Sequence, residues 1–316
     1  MSTAEISFPL FGISVNPSNT ISIGSFTVHW YGVIIAVGFL LAVGYSLKRS
    51  KQFGLRQDDI IDMLLLAVPL AVVCARLYYV IFTPQEYFGA GKWLNIVKIW
   101  EGGLAIYGGL IGAVLAVVIV CRHKKISVRA MLDIGGIGMM IGQAVGRWGN
   151  FMNREAFGAQ TDVPWKMGLT TAQGTIYVHP TFLYESLWNV IGFVLIHFLS
   201  RKRKYDGQVF VMYIGWYGLG RYFIEGLRTD SLYILNTDIR VSQLLALLMF
   251  FAALVILVKN RGKHDPSELY CNRTSLVSAA EGEQDGADID TQQNNSETHD
   301  QAQKNILQED DLDDKL

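Results

Sequence analysis

The sequence predicts an all-α membrane protein with seven transmembrane helices, an outside amino terminus and a cytoplasmic carboxyl terminus. Hydrophobic residues make up 51% of the 316 residues and charged residues only 17%. Soluble domains carry about 25% charged residues, so the deficit indicates a membrane protein. Seven apolar segments are long enough to cross a bilayer, which needs about 20 residues per helix. Basic residues cluster in alternate connections, and these clusters give the orientation.

The seven apolar segments follow one another with polar connections between them. The fourth is short and rich in glycine, which membrane helices tolerate and use for close packing. The predicted spans are residues 28–47, 60–82, 103–121, 130–147, 181–200, 207–225 and 240–258. The segment before the first span lacks the basic and apolar regions of a signal peptide. The first span is therefore expected to direct its own insertion.

The orientation follows from Lys and Arg clusters after the first, third, fifth and seventh spans. Positive-inside bias makes these connections cytoplasmic. The clusters lie at residues 48–56, 122–129, 201–204 and 259–263. The amino terminus, which precedes the first span, is then outside. The odd number of spans places the carboxyl terminus in the cytoplasm, and the connection over 148–180 lies on the outer side.

The carboxyl-terminal residues differ in composition from the rest of the chain. Residues 264–316 are polar, acidic and nearly free of aromatics, whereas residues 1–263 are basic overall. Segments of this kind cannot bury enough apolar surface to fold on their own. We therefore predict a seven-helix transmembrane domain over 1–263 and a disordered, acidic cytoplasmic tail over 264–316.

Ionisable and aromatic side chains recur near the predicted outer ends of the spans. Charged groups at such a depth usually face a bundle interior or a wet cavity. Arg221 and Glu225 are one helical turn apart, so they can partly neutralise each other. The set comprises Tyr31, Arg76, Tyr107, Arg147, Glu185, Tyr217, Arg221 and Glu225. Their convergence at one depth predicts a polar cavity.

The segment GRWGNFMNREAFG, residues 146–158, concentrates polar groups at the end of the fourth span. Its polar side chains are Arg147, Asn150, Asn153, Arg154 and Glu155. Arginines and glycine-exposed backbone N–H groups suit a phosphate, and a phospholipid is the phosphate source at this depth. The asparagines suit glycerol hydroxyls or the phosphodiester, whereas Arg154 is expected to lie on a solvated face.

Structural interpretations stay open for several of these residues. Arg76 could snorkel to the interface, Tyr31 could belong to the aromatic belt, and the Arg221–Glu225 pair could be purely structural. The glycines between residues 102 and 112 could form a helix-packing surface.

Several functional classes find no support in the residues. We see no catalytic triad, no metal-ligand cluster and no nucleotide-binding glycine loop, so no cofactor or metal is expected. The three cysteines lie far apart without a CxxC pair, and basic residues in short clusters do not suggest nucleic acid. From the residues alone, a transferase and a transporter for an anionic lipid headgroup are both open.

Six segments, taken in order, resemble the prolipoprotein diacylglyceryl transferase family. They are HWYGVIIAVGF, ARLYYVIF, EGGLAIYGGLIGA, GRWGNFMNREAFG, HPTFLYES and GRYFIEGLRTD. The resemblance runs from about residue 20 to 260 and omits the acidic tail. It implies transfer of the diacylglyceryl group of phosphatidylglycerol to the lipobox cysteine thiol of a prolipoprotein signal peptide. Glycerol phosphate is the implied second product, and the bacterial cytoplasmic (inner) membrane the implied location.

The resemblance also implies roles for individual residues. Arg147 and Arg221 would bind phosphate and stabilise the leaving group, and Glu155 and Glu225 would orient these arginines. The catalytic set implied is Arg147, Arg221, Tyr107, Glu155 and Glu225. The phosphatidylglycerol-binding set implied is Arg147, Asn150, Asn153, Gly158, Tyr31, Tyr217 and Arg76.

Tyr107 marks a departure from the family pattern, because much of the family has a histidine there that is often given the role of general base. A phenol has a pKa of about 10 and is a poor base at neutral pH. We expect Tyr107 to donate a hydrogen bond, while the thiol proton leaves by Glu155, Glu225 or an arginine-assisted water.

Two rival functions are a phospholipid transporter or scramblase and a seven-helix receptor. The absence of evident internal repeats disfavours a repeat-built transporter. The short cytoplasmic connections disfavour a receptor.

Overall fold

Helices dominate the computed structural model, which describes residues 5–24, 26–88, 93–229, 233 and 240–274. Short 3₁₀ turns separate several of the helices. The α-helices are α1 Trp30–Arg49, α2 Gln57–Phe82, α3 Pro84–Tyr87, α4 Ile106–His123, α5 Val128–Asn153, α6 Thr181–Leu199, α7 Gln208–Leu227 and α8 Val241–Lys259. Each predicted span therefore coincides with an α-helix, although the helices of the first and third spans begin two or three residues later than predicted and the fourth is longer than predicted.

Apolar character separates one of these helices from the others. Within the described ranges, six helices are long and apolar enough to cross a membrane, namely α1, α2, α4, α5, α6 and α8. The predicted sixth span coincides with α7, whose glycines, tyrosines and Arg221–Glu225 pair lower its apolar character. The count of seven spans and the orientation of the termini stay predictions.

Two small antiparallel sheets correct the expectation of an all-α fold. The strands are β1 Glu5–Phe8, β2 Ile13–Val15, β3 Thr20–Ile23, β4 Phe26–His29, β5 Met167–Thr171 and β6 Gly174–Val178. One sheet has the order β2-β1-β5-β6, and β3 and β4 form a separate hairpin. Strands of three to five residues contain too few alternating positions to stand out beside long apolar helices. Pairing of β1 with β5 joins the beginning of the chain to the connection after α5.

Helix α5 is the centre of the helical part. It packs against α1, α4, α6 and α7, while α2 packs on α4 and α7 on α8. Half of the residues in its most apolar stretch of 18 residues are buried inside the protein. The side chain of Ser127 caps its first turn by accepting a hydrogen bond from the Ala130 N–H at 3.2 Å.

The glycines of α4 allow it to approach α2 closely. A Cβ added at Gly112 would lie 2.6 Å from the Leu70 carbonyl oxygen and 2.7 Å from the Ala71 Cα. At Gly109 the nearest atoms would be 3.8 Å away. Gly112 thus belongs to a helix-packing surface, as one interpretation of the sequence proposed.

A small apolar cluster fixes the end of α5 and the start of α6 beneath the larger sheet. Ile6, Leu169 and Phe182 are buried in it, and Phe151 packs against them. The polar end of α5 is therefore held in place by strands as well as by neighbouring helices.

The first residues of the predicted tail pack against the loop before α7. The Tyr270 N–H donates to Asp206 Oδ2 at 2.9 Å, and Pro266–Glu268 form a 3₁₀ turn. Residues 275–316 lie outside the described residues. The division at residue 264 stays a prediction.

Candidate functional site

The last turn of α5 arranges its amide and guanidinium groups as one hydrogen-bonded set. Arg147 Nη1 donates to Asn150 Oδ1 at 3.1 Å. Beyond the helix end, Glu155 Oε1 accepts from Asn150 Nδ2 at 3.0 Å and from Asn153 Nδ2 at 3.2 Å. The Glu155 N–H also donates to the Asn150 carbonyl at 3.1 Å. In the described contacts Glu155 therefore orients the asparagines, and it acts on Arg147 only through Asn150.

Glu185 is the centre of a buried ion-pair cluster. It lies one turn into α6 and forms ion pairs with three arginines from different segments. Arg147 of α5 pairs with Glu185 Oε2, while the Nη1 atoms of Arg221 and Arg228 each lie 3.5 Å from Glu185 Oε1. A single carboxylate thus joins α5, α6 and the end of α7.

The end of α7 supplies the second carboxylate of this cluster. Arg221 Nη2 lies 2.6 Å from Glu225 Oε2, as their spacing predicts. Arg228 follows the last residue of α7 on the same side, seven positions after Arg221. Sequence reasoning missed Arg228 and assigned no role to Glu185. The i, i+4, i+7 spacing of the three charges at 221, 225 and 228 was the signal that could have revealed Arg228.

The arginines, and not the carboxylates, face the accessible side of the cluster. The side chains of Arg147, Arg221 and Arg228 expose 23%, 19% and 11% of their surface, against 7% for Glu185 and 2% for Glu225. The three guanidinium groups and two carboxylates leave one net positive charge among these five side chains. Such a group of fork-shaped donors suits a phosphodiester. Tyr217 lies one turn before Arg221 on α7, and its ring is 6.1 Å from the Tyr213 ring.

Two predicted site residues are set by close contacts between segments. The Tyr31 ring packs on Gly149, where an added Cβ would lie 2.7 Å from Tyr31 Cδ2. At Gly158 an added Cβ would lie 2.7 Å from His179 Cβ and 2.9 Å from the Leu227 carbonyl. The absence of a side chain at 149 and 158 therefore lets the starts of α1 and α6 and the end of α7 approach the polar segment.

Arg76 lies among different partners. Its guanidinium donates to five main-chain carbonyl oxygens and stacks over the Tyr87 ring, 5.0 Å from its centroid. The acceptors are Asn95, Ile96, Lys98, Gly102 and Gly103, at 2.6–3.3 Å. The described contacts of Arg76 thus support a structural role in holding the connection before α4. Its part in lipid binding stays a prediction.

Tyr107 is likewise not joined to the arginine cluster by a described contact. Its ring lies 6.3 Å from the Tyr78 ring, and the residue is 52% exposed. Its catalytic role also stays a prediction.

Arg154 corrects an expectation, because it is buried at 4% exposure and not solvated. Its Nη1 donates to Asn19 Oδ1 at 2.5 Å, and its Nη2 donates to Asn16 Oδ1 at 2.8 Å and to the Pro17 carbonyl at 2.7 Å. The sequence could not reveal this burial, because the partner segment lies more than 130 positions earlier in the chain.

Comparison with known proteins gives a consistent result over most of the chain. The family model described as Prolipoprotein diacylglyceryl transferase matches residues 18–259. A protein of Lactiplantibacillus plantarum is 44% identical over 266 residues, which cover 80% of this chain and 92% of that protein. A relative from Listeria welshimeri is 43% identical over 81% of this chain and 94% of its own length. A relative from Enterococcus faecalis is 44% identical over 85% of this chain and 94% of its own length. All three relatives are named phosphatidylglycerol–prolipoprotein diacylglyceryl transferase.

Proposed function

The chain belongs to the prolipoprotein diacylglyceryl transferase family, and on that premise we propose that it transfers the diacylglyceryl group of phosphatidylglycerol to a prolipoprotein. The acceptor is the thiol of the lipobox cysteine, and the second product is glycerol phosphate. This reaction is the first step of bacterial lipoprotein maturation. Several helices long and apolar enough to cross a membrane make the chain a multi-pass membrane protein.

The cluster of Arg147, Arg221 and Arg228 around Glu185 is the observation that carries the proposal. All three guanidinium groups keep part of their surface accessible, while the carboxylate that gathers them is buried. An anionic phosphodiester can therefore reach the positive charges without meeting the carboxylate. The side-chain amides of Asn150 and Asn153 are bonded to Glu155, and they are the proposed donors for the glycerol headgroup next to this cluster.

The proposed step is a displacement at the glyceryl carbon that bears the phosphate. The sulfur of the cysteine forms a bond to that carbon, the carbon–oxygen bond to phosphate breaks, and the bridging oxygen leaves with glycerol phosphate. A thiol with a pKa of about 8.5 is mostly protonated at neutral pH, whereas the nucleophile is the thiolate. The positive field of three arginines favours the thiolate over the thiol. The same charges stabilise the negative charge that develops on the leaving phosphate.

The thiol proton needs an acceptor close to the polar segment. Glu225 is 2% exposed and bound to Arg221, so it is poorly placed to receive a proton from a substrate. Glu155 is exposed and lies beside Asn150. We therefore assign the proton to Glu155, directly or through water. Tyr107 would contribute a hydrogen bond and no proton transfer, because a phenol is a poor base at neutral pH.

The proposed arrangement in the membrane follows the basic clusters. With α7 counted as a span the total is seven, so that the amino terminus lies outside, the carboxyl terminus is cytoplasmic and the arginine cluster lies near the outer leaflet. A lipobox cysteine that follows a signal peptide reaches the same depth. The proposed location is the bacterial cytoplasmic membrane, and no observation favours a transporter or scramblase.

The test is a transfer assay with purified protein, phosphatidylglycerol and a lipobox peptide. Release of glycerol phosphate together with a diacylglyceryl mass gain on the peptide is the expected result. Both signals should disappear with a Cys→Ser peptide and with Arg147→Ala. Binding of peptide or movement of lipid without a mass gain would reject the transferase in favour of a transporter or receptor.

A further inference from the structure

Arg154 connects the amino-terminal segment to the polar end of α5. We propose that it is a positioning residue, which braces residues 16–19 against α5 and thereby sets Glu155 and Asn150 toward the phospholipid headgroup. The identity of that ligand rests on the proposed function. The brace itself rests on backbone conformation, burial and hydrogen bonds.

The backbone at Arg154 has a conformation that side-chain-bearing residues rarely adopt. Its φ is 53° and its ψ 45°, in the left-handed region at the point where α5 ends. Glycine is the usual residue there, because it has no Cβ to clash with the following carbonyl. An arginine in this place is strained, so its stabilising contribution comes from its side chain.

The side chain makes contacts that a glycine could not replace. Its guanidinium is almost completely buried and donates to the side-chain oxygens of Asn16 and Asn19 and to the Pro17 carbonyl. A further bond of 3.1 Å reaches the Met152 carbonyl in the last turn of α5. The one guanidinium thus binds both the amino-terminal segment and the helix that carries Asn150.

A second contact joins the amino-terminal segment to α5 on the other side of Asn150. The Asn19 carbonyl accepts a hydrogen bond from the Trp30 N–H at 3.0 Å, which joins the braced segment to the start of α1. The next residue, Tyr31, packs on Gly149. Arg154 and Tyr31 therefore hold the end of α5 to the same amino-terminal unit at two points, one after and one before Asn150.

The brace acts on the site through the residue that follows it. Glu155 is bonded to Asn150 by both its backbone N–H and its carboxylate, and Asn150 in turn accepts from Arg147. A shift of the backbone at 154 would move these groups together. Small misplacements of a binding group weaken its interaction with substrate severely, which is why supporting residues matter.

The kinetic test compares Arg154→Gln and Arg154→Gly with Arg122→Gln, an exposed arginine at the far end of α4. Both Arg154 variants should raise KM for phosphatidylglycerol roughly five- to tenfold and also lower kcat, because the shift displaces Asn150, which binds the headgroup, and Glu155, the proposed proton acceptor. Arg122→Gln should leave both constants unchanged. Wild-type kinetics in Arg154→Gly would overturn the proposal, since the backbone conformation alone would then suffice.

Hydrogen exchange of the intact protein gives a readout independent of turnover. The amides of Glu155 and Gly158 should exchange faster in both Arg154 variants and in an Asn16→Ala, Asn19→Ala double variant, which serves if Arg154→Gly does not fold. Faster exchange confined to residues 16–19 would overturn the proposal. If the wild-type protein transferred no diacylglyceryl group, the proposed function would fail while this exchange pattern still tested the brace.

Discussion

A single buried carboxylate among three arginines makes Glu185 the most consequential residue of the site. Desolvated charges are tolerated only when they are paired, and removal of one partner of such a group costs about 3–5 kcal/mol. Glu185 is shared by Arg147, Arg221 and Arg228, so its loss removes a counter-ion from all three cations and increases the repulsion among them.

Glu185→Gln should therefore lower both the unfolding temperature and kcat/KM, the latter by about tenfold or more, which corresponds to a loss of about 1.4 kcal/mol of transition-state stabilisation. Thermal unfolding in detergent and the transfer assay measure the two effects. Asp162→Asn is the control, because Asp162 is 99% exposed and its bond to Lys166 is a surface ion pair of little value. Equal stability of the two variants would contradict the role given to Glu185.

The Tyr107 hydroxyl is expected to donate a hydrogen bond without transferring a proton. Tyr107→Phe should then lower kcat by less than about tenfold and leave the pH profile of kcat unchanged, because one hydrogen bond is worth about 1 kcal/mol. The profile would be measured from pH 6 to 10 (about the range set by thiol and phenol reference pKa values). Loss of an ionisation from the profile would make Tyr107 the base after all.

Spacing along the chain predicted the pairs that lie within one helix and missed those between helices. Arg221 and Glu225 are four positions apart, and their ion pair follows from helix geometry. Glu185 meets Arg147 and Arg221 only because α5, α6 and α7 pack together, which no local pattern encodes. Burial of Arg154 escaped prediction for the same reason.

Among the helices, α2 and α4 depend most clearly on glycine for their approach. Gly112 faces the backbone of α2 at distances that leave no room for a methyl group. A methyl group at Gly109 would instead make ordinary van der Waals contacts at 3.8 Å. The two glycines lie on the same helix three residues apart, so they form a matched pair for substitution.

Gly112→Ala should destabilise the protein by about 1–3 kcal/mol, the usual cost of overpacking, and Gly109→Ala should have little effect. Thermal unfolding of both variants in the same detergent measures the difference. Equal behaviour of the two would mean that α2 can move aside, and that the close approach is not required.

The apolar helices could be predicted from composition, but the strands could not. Long apolar runs fix the helices because hydrocarbon demands internal hydrogen bonding of the backbone. Strands β1 and β5 are stabilised by pairing with each other across more than 150 positions, and neither is long enough to be predicted from its own sequence pattern. The polar end of α5 is built partly by these strands.

At the scale of the whole molecule, the orientation in the membrane is open to a direct test. In a chain without its native cysteines, Asp162→Cys should react with an impermeant thiol reagent from outside intact cells. Lys51→Cys, in the basic connection after α1, should react only after the membrane is opened, because positive-inside bias makes that connection cytoplasmic. The reverse pattern would invert the proposed topology and place the arginine cluster at the inner leaflet.

The proposed function depends most on which bond of phosphatidylglycerol breaks. The most direct measurement uses phosphatidylglycerol labelled separately in its diacylglyceryl and headgroup glycerol parts and follows both labels through reaction with a lipobox peptide. We predict that the peptide gains the diacylglyceryl label and no phosphorus, while an equal amount of the headgroup label appears as glycerol phosphate. Free glycerol with phosphorus on the peptide, or release of headgroup without peptide labelling, would contradict diacylglyceryl transfer by this site.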